Sequence, residues 1–148
     1  MSRTLRGAWR AISVAILAGG MALGWLGSPG AQDTRATQVQ ADARTWLGHA
    51  DRLDGNATWK LAGAKFRNAL TAEAWTKALR DTRSPLGATQ QRAAVSTRFE
   101  STFPNVPAGD YALVQFRTAF ERRSEGHETV TLEREADGTW RVIGYFIR

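Results

Sequence analysis

Residues 128–147, ETVTLEREADGTWRVIGYFI, decide the fold of this chain. Apolar and polar residues alternate before Asp137-Gly138, which is the period of a β-strand with one buried face. The dipeptide itself favours a tight hairpin turn, because such turns need a positive φ that glycine adopts without strain. The segment therefore predicts two antiparallel strands joined at Asp137-Gly138, with the last strand spanning residues 139–147.

The last strand is apolar on both faces. Alternation divides its six large apolar residues into two sets, Trp140, Val142 and Phe146 against Ile143, Tyr145 and Ile147. A strand of this kind is usually covered on both faces, so we expect it to be central in the sheet or packed on a partner. Gly144 interrupts the strand and suits a bulge or a bend in a curved sheet.

Two more strands precede this hairpin. The expected inner face of the first contains Ala93, Val95, Thr97, Phe99, Ser101 and Phe103, opposite Arg92, Ser96, Arg98 and Glu100. The expected inner face of the second contains Ala112, Val114, Phe116, Thr118 and Phe120. A loop over residues 104–110 and a turn at Ser124-Glu125-Gly126 complete a four-stranded antiparallel meander.

The region before Gly87 has helical periodicity instead. It predicts three helices, over about 36–53, 57–68 and 72–82, after a polar tether at residues 32–37. Gly55 is expected to stop the first helix, while Asn56 and Thr71 are expected to cap the second and third. The fold class is α+β, with three N-terminal helices packed on one face of a curved meander. Such a sheet forms a cone with room for a pocket.

The first 31 residues have the layout of a secretory signal peptide. Arg3, Arg6 and Arg10 form a basic start, residues 11–27 carry no charge, and small residues follow. We expect cleavage near Gly30 or Ala31, so that residues 1–31 are the signal peptide and 32–148 a single domain. The protein would then be periplasmic or secreted. An uncleaved leader is the alternative, and the leader would then be the only attachment to the membrane.

Charge and composition exclude several classes of function. The leader holds three of the 20 basic residues and none of the 14 acidic ones, which leaves 17 basic against 14 acidic residues. No long basic run occurs in that remainder, so we expect no nucleic-acid partner. The chain has no cysteine, which excludes disulfides and thiol chemistry.

Several segments resemble the bacterial domain of unknown function 4019. They are Trp59, Ala62 and Phe66, then Trp75, Leu79 and residues 83–87 (RSPLG), then residues 128–132 (ETVTL), and residues 137–147 (DGTWRVIGYFI). The resemblance covers nearly all of residues 32–148. It implies an exported bacterial protein with a cone-shaped organisation of the NTF2-like or cystatin-like type. It implies no activity.

Catalytic and metal-binding patterns are sparse. His49 and His127 are the only histidines, and a zinc site usually needs three or four protein ligands. The Gly-x-Ser-x-Gly turn of many serine hydrolases does not occur. We therefore expect no metal, no cofactor and no assigned catalytic residue.

Glu128 is the acid that stands out. By alternation it shares a face with Val130 and Leu132, so it could face into the cone and act as a general base with a raised pKa. The alternative is an ion pair with Arg83 or Arg134 at a solvated strand end, and this is the interpretation that we favour. On that interpretation, Glu128→Gln leaves stability nearly unchanged.

Aromatic residues supply the remaining candidate site. A pocket for a ligand could be lined by Trp59, Trp75, Phe99, Phe116 and Trp140, together with Glu128. The same aromatic residues could simply form the core of a domain without disulfides. The leading hypothesis is a non-enzymatic envelope protein that binds a small apolar ligand or another envelope protein. The alternatives are a small cone-fold enzyme with Glu128 as general base, and a structural domain that forms a homodimer through its sheet.

Overall fold

The computed structural model describes residues 29–148, and side chains from residue 34 onward. The leader prediction therefore lies, apart from its last three residues, outside the described residues. Four helices come first: α1 (Pro29–Asp51), α2 (Gly55–Leu61), α3 (Ala64–Ala69) and α4 (Ala72–Arg83). A 3-10 turn at Ser84–Leu86 leads into the strands β1 (Thr89–Glu100), β2 (Tyr111–Phe120), β3 (Arg123–Arg134) and β4 (Trp140–Ile147). The predicted α+β class and the four-stranded antiparallel meander are confirmed.

The helical half differs from the prediction in its boundaries. Helix α1 runs through residues 32–37, so the predicted tether is wrong. The predicted helix over 57–68 is two short helices, because Ala62 and Gly63 are extended. The break turns the N–H of Gly63 outward, where it donates to the carbonyl oxygen of Val142 in β4 at 2.8 Å. This bond ties the helices to the edge of the sheet.

The chain reversal between α1 and α2 uses other residues than predicted. Leu53, with φ of 58°, takes the left-handed conformation just after α1, whereas the sequence predicts that Gly55 stops this helix. Asp54, not Asn56, caps α2 by accepting a hydrogen bond from the N–H of Ala57. Gly55 is the first residue of α2 and lies so close to α4 that a Cβ there would come within 2.3 Å of Thr76. The cap predicted at Thr71 is confirmed.

The sheet order is β1-β2-β3-β4, so β4 is an edge strand and not a central one. Leu132 pairs with Val142 and Thr131 pairs with Gly144, which leaves Ile143 as an extra residue. The bulge expected near Gly144 is therefore present. Beyond a bulge the side chains change faces. Tyr145 consequently turns inward, whereas Phe146, which alternation groups with Trp140 and Val142 on one face, is 51% exposed.

A second bulge inverts part of β1. The register shifts between Ala94 and Ser96, so Val95 is the extra residue and is 57% exposed. Before the bulge, Arg92 pairs with the buried Thr118 and lies on the inner face, where Ala93 had been expected. The turn before β3 also comes earlier than predicted, since β3 already begins at Arg123.

One hydrophobic core lies between the helices and the inner face of the sheet. Its largest side chains include Trp46, Phe66, Trp75, Phe116 and Trp140. Two indole N–H groups of this core share Thr58 as a partner: Trp46 donates to the carbonyl oxygen of Thr58, and Trp75 donates to the Thr58 hydroxyl. Within residues 29–148, no helix combines the length and the apolar character needed to cross a bilayer.

Candidate functional site

Glu128 is fully buried, with an exposed fraction of 0%. The expectation of a solvated strand end is therefore wrong. Glu128 lies on the inner face of β3, opposite Phe116 of β2 and Ile147 of β4. The helices cover this end of the sheet, which places the carboxylate among charged and hydroxyl groups from several elements.

Four hydrogen bonds converge on the Glu128 carboxylate. Arg92 donates through Nε to Oε2 at 2.7 Å and through Nη2 to Oε1 at 3.2 Å. The hydroxyl of Thr118 donates to Oε2 and that of Tyr145 donates to Oε1, at 2.5 and 2.6 Å. A carboxylate has about four lone-pair sites in all. The oxygens of Glu128 are therefore fully engaged by the protein itself.

Asp51, the last residue of α1, extends this arrangement. Arg92 binds it with two nitrogens, both at 2.8 Å, so that one guanidinium bridges Asp51 and Glu128. Arg83 donates to Asp51 Oδ1 at 2.5 Å and to the Tyr145 hydroxyl at 3.2 Å. We call Asp51, Arg83, Arg92 and Glu128 the charge cluster. It contains two carboxylates and two guanidiniums, so its formal charges balance.

Burial and ion pairing shift the pKa values of Asp51 and Arg92 in opposite directions. Burial alone would raise the pKa of Asp51, but hydrogen bonds from Arg92 and Arg83 lower it to about 2. Burial alone would lower the pKa of Arg92, yet its bonds to the two carboxylates raise it above the ordinary value. Burial, together with the charge of Glu128, raises the pKa of Tyr145 well above its usual range. Asp51 and Arg92 are thus held in their charged forms and Tyr145 in its neutral form.

The favoured ion pair is confirmed in part. Arg83 Nη1 lies 3.6 Å from Glu128 Oε1, but Arg92 is the closer partner. Arg134 is not involved, since its guanidinium lies 3.9 Å from Asp110. The alternation of the sequence places Arg92 on the outer face of β1. The bulge at Val95, which the alternation does not show, puts Arg92 on the inner face. The position of Asp51 did indicate a cationic partner. An acid at a helix C-terminus interacts unfavourably with the helix dipole, and a nearby cation offsets this.

The aromatic candidates do not form one site. Trp75, Phe116 and Trp140 are core residues, while Trp59 and Phe99 are half-buried at its margin. Phe99 and Trp140 are neighbours, with ring centroids 6.0 Å apart. Glu128 is separate from this pair and belongs to the charge cluster.

Trp75 lines a cavity of about 220 Å³ between α4 and β4. Its α4 wall consists of Trp75, Ala78, Leu79 and Thr82, and its β4 wall of Tyr145, Phe146 and Ile147. We call it the α4–β4 cavity. Tyr145 belongs to both features, because its ring lines the cavity while its hydroxyl binds Glu128 and Arg83. The walls of the cavity are mainly apolar, and Tyr145 is the residue that connects them to the charge cluster.

Across the described part of the chain, no group of three or more histidine, aspartate or glutamate side chains could hold a metal ion.

Arg83 Nε is the one buried side-chain nitrogen or oxygen of the described residues without a hydrogen-bond partner. The guanidinium of Arg83 also lies over the ring of Phe120, 4.9 Å from its centroid.

Comparisons with known proteins extend this picture. A family model described as "Protein of unknown function (DUF4019)" matches residues 42–145. A solved structure from Catenulispora acidiphila is similar with a TM-score of 0.52 at 13% identity, covering 80% of this chain and 94% of that one. Aln2 from a Streptomyces species is similar with a TM-score of 0.49 at 15% identity, over 84% and 93% of the two chains. A search of curated proteins finds no match. The Catenulispora structure supports the fold alone.

Proposed function

The chain belongs to the DUF4019 family of proteins of unknown function, and from that premise we propose that it is an exported, non-enzymatic protein that binds an apolar group in the α4–β4 cavity. The observation that carries the proposal is the cavity itself. It lies beside an exposed Phe146, and its walls are mainly apolar. Concave apolar sites with a few polar groups are the usual form of ligand pockets.

The size of the cavity suits a small group. A dry cavity of about 150 Å³ lined by aliphatic and aromatic residues is enough to bind benzene. At about 220 Å³, the α4–β4 cavity has room for one substituted ring or one large apolar side chain. The ligand we propose is therefore a single apolar group, not a long lipid.

The hydrogen bonding of Glu128 argues against its use as a general base. A general base must have a lone pair within reach of the proton that it removes. The oxygens of Glu128 already accept four hydrogen bonds from the protein.

Export is supported by the basic, uncharged and small-residue order of residues 1–31.

The proposal is tested by titrating the purified protein with indole and following side-chain methyl signals by NMR. Ala78→Phe places a ring inside the cavity, and Arg80→Phe places the same ring on an exposed position of the same helix. We expect saturable binding that weakens by about tenfold or more in Ala78→Phe and stays unchanged in Arg80→Phe. Absence of saturable binding, or equal binding by both variants, would contradict the proposal.

A further inference from the structure

The free edge of β4 presents main-chain groups in a defined pattern. His127 and Arg148 exchange both of their N–H···O bonds, at 2.8 and 3.0 Å. In an antiparallel pair, bonded and non-bonded residue pairs alternate. Phe146, opposite Thr129, therefore directs its N–H and C=O groups toward β3. Tyr145 and Ile147 direct theirs away from the sheet.

These outward groups border the α4–β4 cavity. Side chains alternate along β4, so that Tyr145 and Ile147 point inward while Phe146 points outward. All three consecutive residues nevertheless line the cavity. A cavity that touches three consecutive residues of a strand lies along the edge of that strand, where the main chain is reached. Its opposite wall is the apolar side of α4.

The same edge already accepts a main-chain partner further along. The carbonyl oxygen of Val142 is bound by the N–H of Gly63. The link between α2 and α3 thus closes the edge at Val142, and the stretch from Tyr145 to Ile147 remains beside the cavity.

A ligand that satisfies this surface has two chemical properties. It fills an apolar space of about 220 Å³, and it supplies alternating donors and acceptors at the spacing of a β-strand. A small hydrocarbon fills the cavity but leaves the main-chain groups of Tyr145 and Ile147 to water. An extended polypeptide meets both requirements, because strand addition to a sheet edge combines main-chain bonds with side-chain pockets.

We infer that the partner is an extended peptide segment of another protein, which adds to the edge of β4 at Tyr145–Ile147 and places one large apolar side chain in the α4–β4 cavity. This inference rests on the proposed function and names its ligand class. The peptide residues on either side of the inserted apolar residue then lie next to Phe146, on the outer face of the sheet. A second copy of this chain is the competing occupant.

The probe is a random heptapeptide display library, selected on the wild-type protein and counter-selected on Ala78→Phe. Each enriched peptide is then synthesised in two N-methylated forms, one for each alternating set of backbone amides. Main-chain pairing uses only one of these sets. We expect methylation of that set to weaken binding by about tenfold or more, and methylation of the other set to change it little.

Amide hydrogen exchange gives a second readout on the protein side. Peptide binding should slow exchange at Tyr145 and Ile147 and leave Phe146, which is already paired, unchanged. Equal sensitivity to both methylation patterns, or no enriched peptide, would overturn the inference while indole binding still supports the proposed function. Protection of the same amides at rising protein concentration without peptide would also overturn it, because the occupant would then be a second copy.

Discussion

Single side chains of the charge cluster connect elements that are far apart in the chain. Asp51 ends α1, Arg83 ends α4, Arg92 lies in β1 and Glu128 in β3. Hydroxyl groups from β2 and β4 complete the shell of Glu128. Glu128 and Arg83 are buried, Asp51 and Arg92 are partly buried, and each is bonded to more than one partner, so removal of one leaves the others without full compensation.

Glu128→Gln is expected to destabilise the protein by about 3–5 kcal/mol, since it removes one charge from a buried, paired group. This reverses the expectation drawn from the sequence, where Glu128 was treated as solvated. Urea unfolding of both proteins measures the difference. Glu125→Gln, at an exposed position of the same strand, is the matched control and should stay within about 0.5 kcal/mol. A loss below about 1 kcal/mol for Glu128→Gln would mean that the cluster contributes little.

Asp51 makes stability depend on acid pH. Its pKa is lowered from 3.8 to about 2 by Arg92 and Arg83, in spite of burial. A depressed pKa in the folded state contributes stability above the unfolded value, and that stability is lost as pH falls through the folded pKa. The contribution is at most about 2 kcal/mol, reduced by solvent screening of the partly exposed carboxylate.

We therefore expect the wild type to lose more stability than Asp51→Asn between about pH 4 and pH 2. Urea unfolding at several pH values checks this, and the difference between the two proteins removes the effect of the other carboxylates. If the free energies of unfolding of the two proteins changed in parallel with pH, the guanidiniums would not stabilise the charged form of Asp51.

At the scale of helices and strands, bulges and close approaches decide which residues meet. The period-two pattern correctly assigns Val114 and Val130 to the inner face, because alternation is a local property. It fails before Val95 in β1 and after Ile143 in β4, because the extra residue inverts the faces on one side of each bulge. Gly144 indicates the bulge at Ile143, but no glycine marks the bulge at Val95. A bulge is set by pairing with a neighbouring strand, which a local pattern does not contain.

Gly55 illustrates a contact of this kind between two helices. A Cβ at Gly55 would lie 2.5 Å from the Cα of Thr76, so α2 would have to move away from α4. Gly55→Ala is expected to destabilise the protein by about 1–3 kcal/mol. Gly48→Ala is the matched control, because its Cβ meets nothing closer than 4.0 Å, and alanine favours the helix by up to about 1 kcal/mol. Thermal unfolding compares the two, and equal shifts would contradict a tight α2–α4 contact.

At the scale of the whole molecule, helices followed by an antiparallel sheet were predictable, since the change of period near Gly87 is visible in the sequence. The candidate site was less predictable from the sequence. Glu128 stands out in the sequence, but its partner Arg92 is 36 residues away, and Asp51, which Arg92 bridges to it, is 77 residues away. The α4–β4 cavity depends on the packing of a helix beside an edge strand, and only Trp75 of its lining was among the candidates.

Export remains a prediction that a mass measurement checks. The intact mass of protein from the bacterial envelope fraction should correspond to cleavage near Gly30 or Ala31. Leu17→Arg introduces a charge into the apolar part of the leader and should keep the protein uncleaved. An envelope protein that retains the leader would instead support the uncleaved anchor.

The most direct test of apolar binding between α4 and β4 is an intermolecular NOE experiment with indole and methyl-labelled protein. We expect NOEs from indole protons to the methyl groups of Leu79 and Ile147, which line the cavity from opposite sides. NOEs confined to the exposed methyl groups of Leu61 or Val95 would contradict it, because binding would then occur on the surface and not in the cavity.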